Sequence, residues 1–225
     1  MKSPDSATLA APKPVHRRMQ PDQRRALIIG ESIGYFAAHG FNVDTRSLAR
    51  HLHITQALLY KYFPNKQLLV EAVFETVFRK QTSENWLSLL RDRTVDLRRR
   101  MVRFFVDYAN NTYDYDWIRI YTQAAFSGGE LNKKYIANVT RPLLQIIAEE
   151  VRLAYGLPLD RASHVTELEI EVLWQYHFGI YYHPYRTHVY GAQPPVPIEE
   201  IIEASADGLI SNLQRCIDRA EKSLA

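Results

Sequence analysis

From Pro21 onward the apolar residues of this chain recur at helical spacing, and convincing alternating strand patterns are absent. Ile28, Ile29, Ile33 and Phe36 fall on one face. They predict a first helix that starts near Pro21-Asp22, where proline suits the first turn and an acid suits the positive dipole end. Gly40 ends it and Phe41 packs back. Gly30 and Gly34 lie inside it, four apart, a spacing that permits close packing of a neighbouring helix. A second helix is capped by Asp44 or Thr45 and turns Leu48, Ala49 and Leu52 inward. Thr55 caps a third that runs to about Phe63. Pro64-Asn65 make a turn, and Lys66 opens a fourth with Leu68, Leu69, Ala72, Val73 and Val77 on its apolar face.

The helical pattern continues to the end. Thr94 to about Asn111 carries Leu97, Met101, Phe104, Phe105 and Tyr108 at helical spacing. Asp116 to Phe126 is a short aromatic helix. Glu130 to Gly156 is a long one, with Pro142 as its kink or break. Thr166 to Tyr182 is apolar and aromatic. Residues 184–197 hold four prolines and are expected to form a loop. Ile198 to about Leu224 is a last amphipathic helix. The expected fold is all-α, with about nine helices.

Charge divides the chain. Residues 1–66 carry ten lysines and arginines against four acids, while the remainder is mildly acidic and the whole is +3. A basic head on an acidic body points to an anionic partner for the head. Residues 1–20, rich in Pro, Ser and Ala and ending in a basic His16-Arg17-Arg18 run, read as a disordered arm. The single cysteine, Cys216, excludes an intramolecular disulfide framework and fits a reducing cytoplasm. No apolar run approaches the roughly 20 residues of a membrane span, and the first residues lack a signal-peptide core. The expected location is cytoplasmic.

The chemistry concentrates between Thr45 and Leu69. At about 100° per residue, Leu59 and Phe63 share the inner face of the third helix, joined by Ile54. Ala57 and Lys61 look outward, with Gln56 and Tyr60 on one flank and Leu58 and Tyr62 on the other. Such a helix suits a DNA major groove. Glutamine bonds adenine bidentately, alanine meets a thymine methyl, and lysine and tyrosine hold phosphate oxygens. Thr45 and Lys66 each stand at a helix start, where free N–H groups favour a phosphate. With Arg46 and Thr55 beside them, the candidate DNA-binding set is Thr45, Arg46, Thr55, Gln56, Ala57, Tyr60, Lys61 and Lys66.

The segment from about Arg25 to Leu69 resembles the N-terminal helix-turn-helix domain of the tetracycline-repressor (TetR) family. Phe36, Gly40 and Phe41 match its Phe-x3-Gly-aromatic element. Leu59, Tyr60 and Phe63 match its Leu-Tyr-x2-Phe, and Lys66 the lysine that opens the fourth helix. Leu52-His53-Ile54-Thr55 stands where the family has Ala-Gly-Val-Ser. Two departures follow: His53 replaces a glycine where a positive φ is wanted, and Leu58 replaces a common Thr or Ser.

The resemblance implies a three-helix DNA-binding head at residues 21–66 and a larger helical ligand-binding and dimerisation domain at 67–225. It implies a homodimer through the last two long helices, in which Ile201, Ile202, Ala204, Ser205, Leu209, Leu213, Cys216 and Ile217 form a stripe. Recognition helices about 34–40 Å apart would meet a near-palindromic operator. It also implies a small-molecule cavity in the body, for which Phe104, Tyr108, Trp117, Tyr121, Tyr176 and His177 are the candidate lining of a hydrophobic or aromatic effector. The expected function is a repressor released by that effector. The alternatives are a regulator without an effector and an enzyme using the aromatic cavity. No nucleophile elbow, phosphate loop or metalloprotease motif favours the enzyme. His177, His183 and His188 lack the spacing of a metal site. No cofactor, metal or catalytic residue is expected.

Overall fold

The computed structural model describes residues 19–79 and 84–224, so residues 1–18, with the His16-Arg17-Arg18 run and nearly all of the expected arm, lie outside the described part. The described residues form an all-helical protein. Its helices are α1 (Pro21–His39), α2 (Thr45–His51), α3 (Gln56–Tyr62), α4 (Lys66–Arg79), α5 (Glu84–Arg91), α6 (Leu97–Thr112), α7 (Tyr115–Phe126) and α8 (Glu130–Tyr135). A π turn (Ile136–Thr140) leads into α9 (Arg141–Ala154), followed by α10 (Leu159–Ala162), α11 (Glu167–Tyr190) and α12 (Ile198–Leu224).

The first three helices close around Ile28, Ile29, Phe36, Ala37, Phe41, Leu48, Ala49, Leu59 and Phe63, all buried. Phe41 packs its edge onto Phe36 at 5.3 Å between centroids, the return that Gly40 permits. Gly40 sits at φ +79°, in the region open to glycine. Gly30 and Gly34 do not mark a close helix contact within the chain. A methyl built on either meets nothing within 4 Å, because both lie on the exposed side of α1.

Short polar side chains set the helix starts. Asp44 accepts from the Ser47 amide at 2.8 Å and Thr55 from that of Leu58 at 3.1 Å. Asp96 and Asp114 do the same for α6 and α7. Thr166 and Glu169 form a reciprocal capping box at α11.

Three differences from the sequence pattern have physical causes. Helix α5 separates α4 from α6 where no helix is expected; its Trp86 and Leu90, one helical turn apart, are buried and hold it to the core. The long helix near residue 140 changes pitch rather than breaking, through a π turn just before Pro142. The expected loop at residues 184–197 is shorter, because α11 runs on through Pro184 to Tyr190. A proline inside a helix costs about 3 kcal/mol. Here Ile180, buried, and Tyr181 and Tyr185, packed against the core, hold both sides of it. The stop is Gly191 at φ +68°, where the Ala192 amide returns to the Arg186 carbonyl.

Ion pairs tie the body together. Arg152 on α9 makes a two-pronged bond to Glu169 on α11, both buried. Glu150 lies between Arg93 and Arg100, and Arg98 on α6 reaches Glu203 and Asp207 on α12. Head and body meet where α7 crosses α1. Arg119 donates to the Ala37 carbonyl at 2.9 Å, and Gln123 lies against Gly40.

Candidate nucleic-acid interface

The α2–α3 corner turns on Leu52, His53 and Ile54. The His53 amide bonds the Arg50 carbonyl at 3.1 Å and the Ile54 amide that of Ala49 at 3.0 Å. Closing this corner places His53 at φ +53°, the one non-glycine residue with positive φ among those described. Leu59 and Phe63 anchor α3 to the core, with Ile54 packed against it. Leu58 is half-buried, its hydrocarbon partly covered.

Anchoring this inner face leaves a polar outer one. Arg46 on α2, and Thr55, Ala57, Tyr60 and Lys61 at α3, are exposed. Thr45 and Gln56 are half-buried between the two helices. The Gln56 amide donates to Thr45 Oγ1 at 2.8 Å, and Thr45 Oγ1 lies 3.0 Å from the Tyr60 hydroxyl. Three residues singled out separately by position thus share one hydrogen-bonded group. Lys66 stands apart from it. Its ammonium donates to the Val43 carbonyl at 3.1 Å and steadies the loop that leads into α2.

Other residues of this surface carry weaker sequence signals. Arg50 is exposed one turn after Arg46, so α2 presents two guanidinium-bearing positions on one side. The Arg25 guanidinium lies over the Phe63 ring at 5.0 Å. Tyr35 packs against His39 and His51, each at 4.6 Å, and joins α1 to α2. Asn65 accepts from the Leu68 amide at 2.9 Å and starts α4. Asparagine after a proline was the only local cue to that cap.

The body's six candidate residues divide. Phe104, Tyr108 and Trp117 are buried, and Tyr121 and His177 are half-buried. His177 Nε2 lies 3.2 Å from the Tyr108 hydroxyl and 2.9 Å from that of Tyr113. Trp117 stacks on Tyr121 at 4.8 Å and meets Tyr113 edge-on at 4.9 Å. Burial pushes the His177 imidazole down to about 4, so it is neutral at pH 7. Burial likewise raises the Tyr108 and Tyr113 hydroxyls far above their usual range, which makes the cluster uncharged. Tyr176 points elsewhere. Its hydroxyl lies 3.1 Å from Ser205 Oγ on α12, at a groove of about 450 Å³ between α11 and α12. No group of three or more His, Cys, Asp or Glu among the described residues is arranged to hold a metal ion. No helix among them is long and apolar enough to cross a membrane.

Residues 28–73 match the family model described as bacterial regulatory proteins, tetR family. The head is that of a tetR-family regulator. Solved structures resemble most of the chain in fold. A TetR-like transcriptional regulator from Rhodococcus sp. RHA1 matches at a TM-score of 0.60 and 14% identity, over 89% of this chain and 99% of that one. A TetR family transcription regulator from Marinobacter aquaeolei VT8 matches at 0.56 and 18%, over 85% and 95%. The TetR family regulator PfmR from Thermus thermophilus matches at 0.53 and 19%, over 82% and 97%. No curated protein matches the chain significantly. With its tetR-family head, the protein is a DNA-binding regulator of transcription.

Proposed function

We propose that this regulator is a homodimeric repressor that holds a near-palindromic operator with two α3 helices and releases it when a small uncharged effector enters the body. The observation that carries the DNA reading is the Thr45–Gln56–Tyr60 group on the outer face of the α2–α3 corner. In this reading Gln56 and Ala57 face base edges. Thr45, Arg46, Thr55, Tyr60 and Lys61 face the backbone, and Lys66 holds the loop before α2 while its remaining N–H groups serve a phosphate. The head is residues 21–66 and the body 67–225, with α4 leaving one for the other. A protein of this kind acts in the cytoplasm, where its DNA is.

Dimerisation through α11 and α12 is supported by how their faces divide. Ile202, Leu209, Leu213 and Ile217 are buried within the chain, while Ile201, Ala204 and Gly208 face outward. On α11, Leu168, Gln175, Gly179 and Tyr182 are exposed at spacings of seven, four and three, one side of a helix. Gly179 and Gly208 both line the α11–α12 groove, and nothing lies within 4 Å of a methyl built on either. A second copy can therefore approach closely.

Effector release is supported by α7. One side carries Trp117 and Tyr121 into the aromatic cluster. The opposite side carries Arg119 and Gln123 onto α1. A planar, apolar molecule that separates the rings would move α7 and with it the head. By linkage, DNA must weaken the effector's binding by the factor that the effector weakens DNA binding. Selection of bound genomic fragments gives the operator, and its neighbouring genes give effector candidates. Such a candidate is then titrated against free protein and operator complex. Equal affinity for the two contradicts effector release.

A further inference from the structure

The Thr45–Gln56 hydrogen bond has a geometry that separates two jobs of one side chain. Reading adenine takes the glutamine carbonyl oxygen and one amide N–H. A primary amide has a second N–H that this pairing leaves over. In the structure Gln56 Nε2 donates to Thr45 Oγ1 at 2.8 Å. One N–H is thereby spent on α2, and Oε1 and the other N–H remain for a base. The bond also fixes a side chain that otherwise loses much rotamer freedom on binding.

Thr45 Oγ1 is itself 3.0 Å from the Tyr60 hydroxyl. A hydroxyl accepts and donates at once. Thr45 accepts from Gln56, and either hydroxyl of the Thr45–Tyr60 pair can donate to the other; with Thr45 as donor, the Tyr60 O–H proton is left for a phosphate oxygen. The three groups then form a chain that runs from base reader to backbone holder, polarised in one direction.

We propose that Thr45 is a positioning residue that sets sequence preference through Gln56, beyond any phosphate contact of its own. The proposal rests on the DNA reading above. Thr45→Val keeps the shape and removes the hydroxyl, and Thr45→Ser restores it. The probe is a library of duplexes randomised over the binding site, with poly(dI-dC) as the non-specific reference.

The wild type is expected to enrich adenine at one position in each half-site. Thr45→Val should lower that preference, read as the ratio of the adenine duplex to the other three at that position, roughly tenfold, over and above the uniform weakening that loss of its backbone contact brings to poly(dI-dC). Thr45→Ser should recover the preference. In a Gln56→Ala background, Thr45→Val should have no further effect on it. Thr45→Val that keeps wild-type preference and weakens all duplexes alike makes Thr45 a phosphate contact only, and overturns the proposal while leaving the DNA reading intact. A preference that falls again in the Gln56→Ala background also overturns it. A wild type that enriches no sequence overturns the DNA reading itself, and this proposal with it. In the free protein, a nuclear Overhauser contact from the Gln56 amide protons to the Thr45 methyl is expected independently of any DNA, and its absence counts against the proposal.

Discussion

The Arg119 guanidinium donates from Nε to the carbonyl oxygen of Ala37 at 2.9 Å, so a body helix closes the last turn of the first head helix. Carbonyls in a last helical turn lack an intrahelical partner. Here the partner comes from α7, 82 residues further along the chain. Arg119→Ala leaves that carbonyl short of a donor, and a hydrogen bond to a charged group is worth about 1.5–3 kcal/mol. We expect a loss of about 1–2 kcal/mol in urea denaturation, with secondary structure intact. A variant as stable as the wild type would show that the link carries no weight.

His53 occupies the corner between α2 and α3 at φ +53°. A non-glycine residue in this region is strained by about 1 kcal/mol or more. His53→Gly should raise stability by up to about 1 kcal/mol, offset in part by the looser unfolded chain. His53→Val, branched at Cβ, should lower it by more than that. Thermal unfolding of the two variants, compared with wild type, reads both signs.

Stability should depend on pH through His177. Its ordinary value is 6.5 and burial depresses it to about 4. The folded state therefore binds fewer protons than the unfolded one between these values. Stability is full above about pH 6.5, falls as the pH drops towards 4, and loses no more from this group below that. The loss is at most about 3 kcal/mol, and less because the ring is partly exposed. The Glu150 and Glu169 carboxylates, held below their ordinary 4.5 by Arg93 and Arg100 and by Arg152, lose their contribution only at lower pH. Urea titrations between pH 7 and 5 read His177 together with His188, whose imidazole burial also pushes down, and the difference between wild type and a His177 variant separates the two. His177→Gln should flatten that window, and an unchanged slope would assign it to another group.

Gly179 and Gly208 test the dimer. Each lies at the α11–α12 groove with open space where a side chain would start. Gly179→Leu and Gly208→Leu should therefore leave the folded chain intact and weaken self-association by tenfold or more, about 1.4 kcal/mol. Sedimentation equilibrium across concentration measures it. Dimerisation at wild-type strength in both variants would place the interface elsewhere.

The head was more legible than the body because its signals are local. Asp44 and Thr55 cap as their positions require, and Leu59 and Phe63 recur at one helical turn. The His53 strain was legible too, since the corner needs a left-handed residue whichever one is present. Relationships across helices were not. The Thr45–Gln56 bond joins residues 11 apart, and Arg119 and Ala37 are 82 apart. Periodicity placed Ile201 and Ile202 in one stripe, while packing buries the second and exposes the first. Pro184 read as a loop because the helix's cohesion depends on tertiary contacts of Ile180 and Tyr185.

The central claim is that the outer face of the α2–α3 corner holds DNA. The most direct measurement is the salt dependence of binding to a selected duplex and to an unrelated one, for wild type, Tyr60→Phe and Lys61→Ala. Wild-type affinity should fall steeply with salt, as it does when lysines and arginines displace counterions. Tyr60→Phe should weaken both duplexes alike. Lys61→Ala should do the same and make the log–log slope shallower by about one. Wild-type affinities and slopes in both variants would contradict the account.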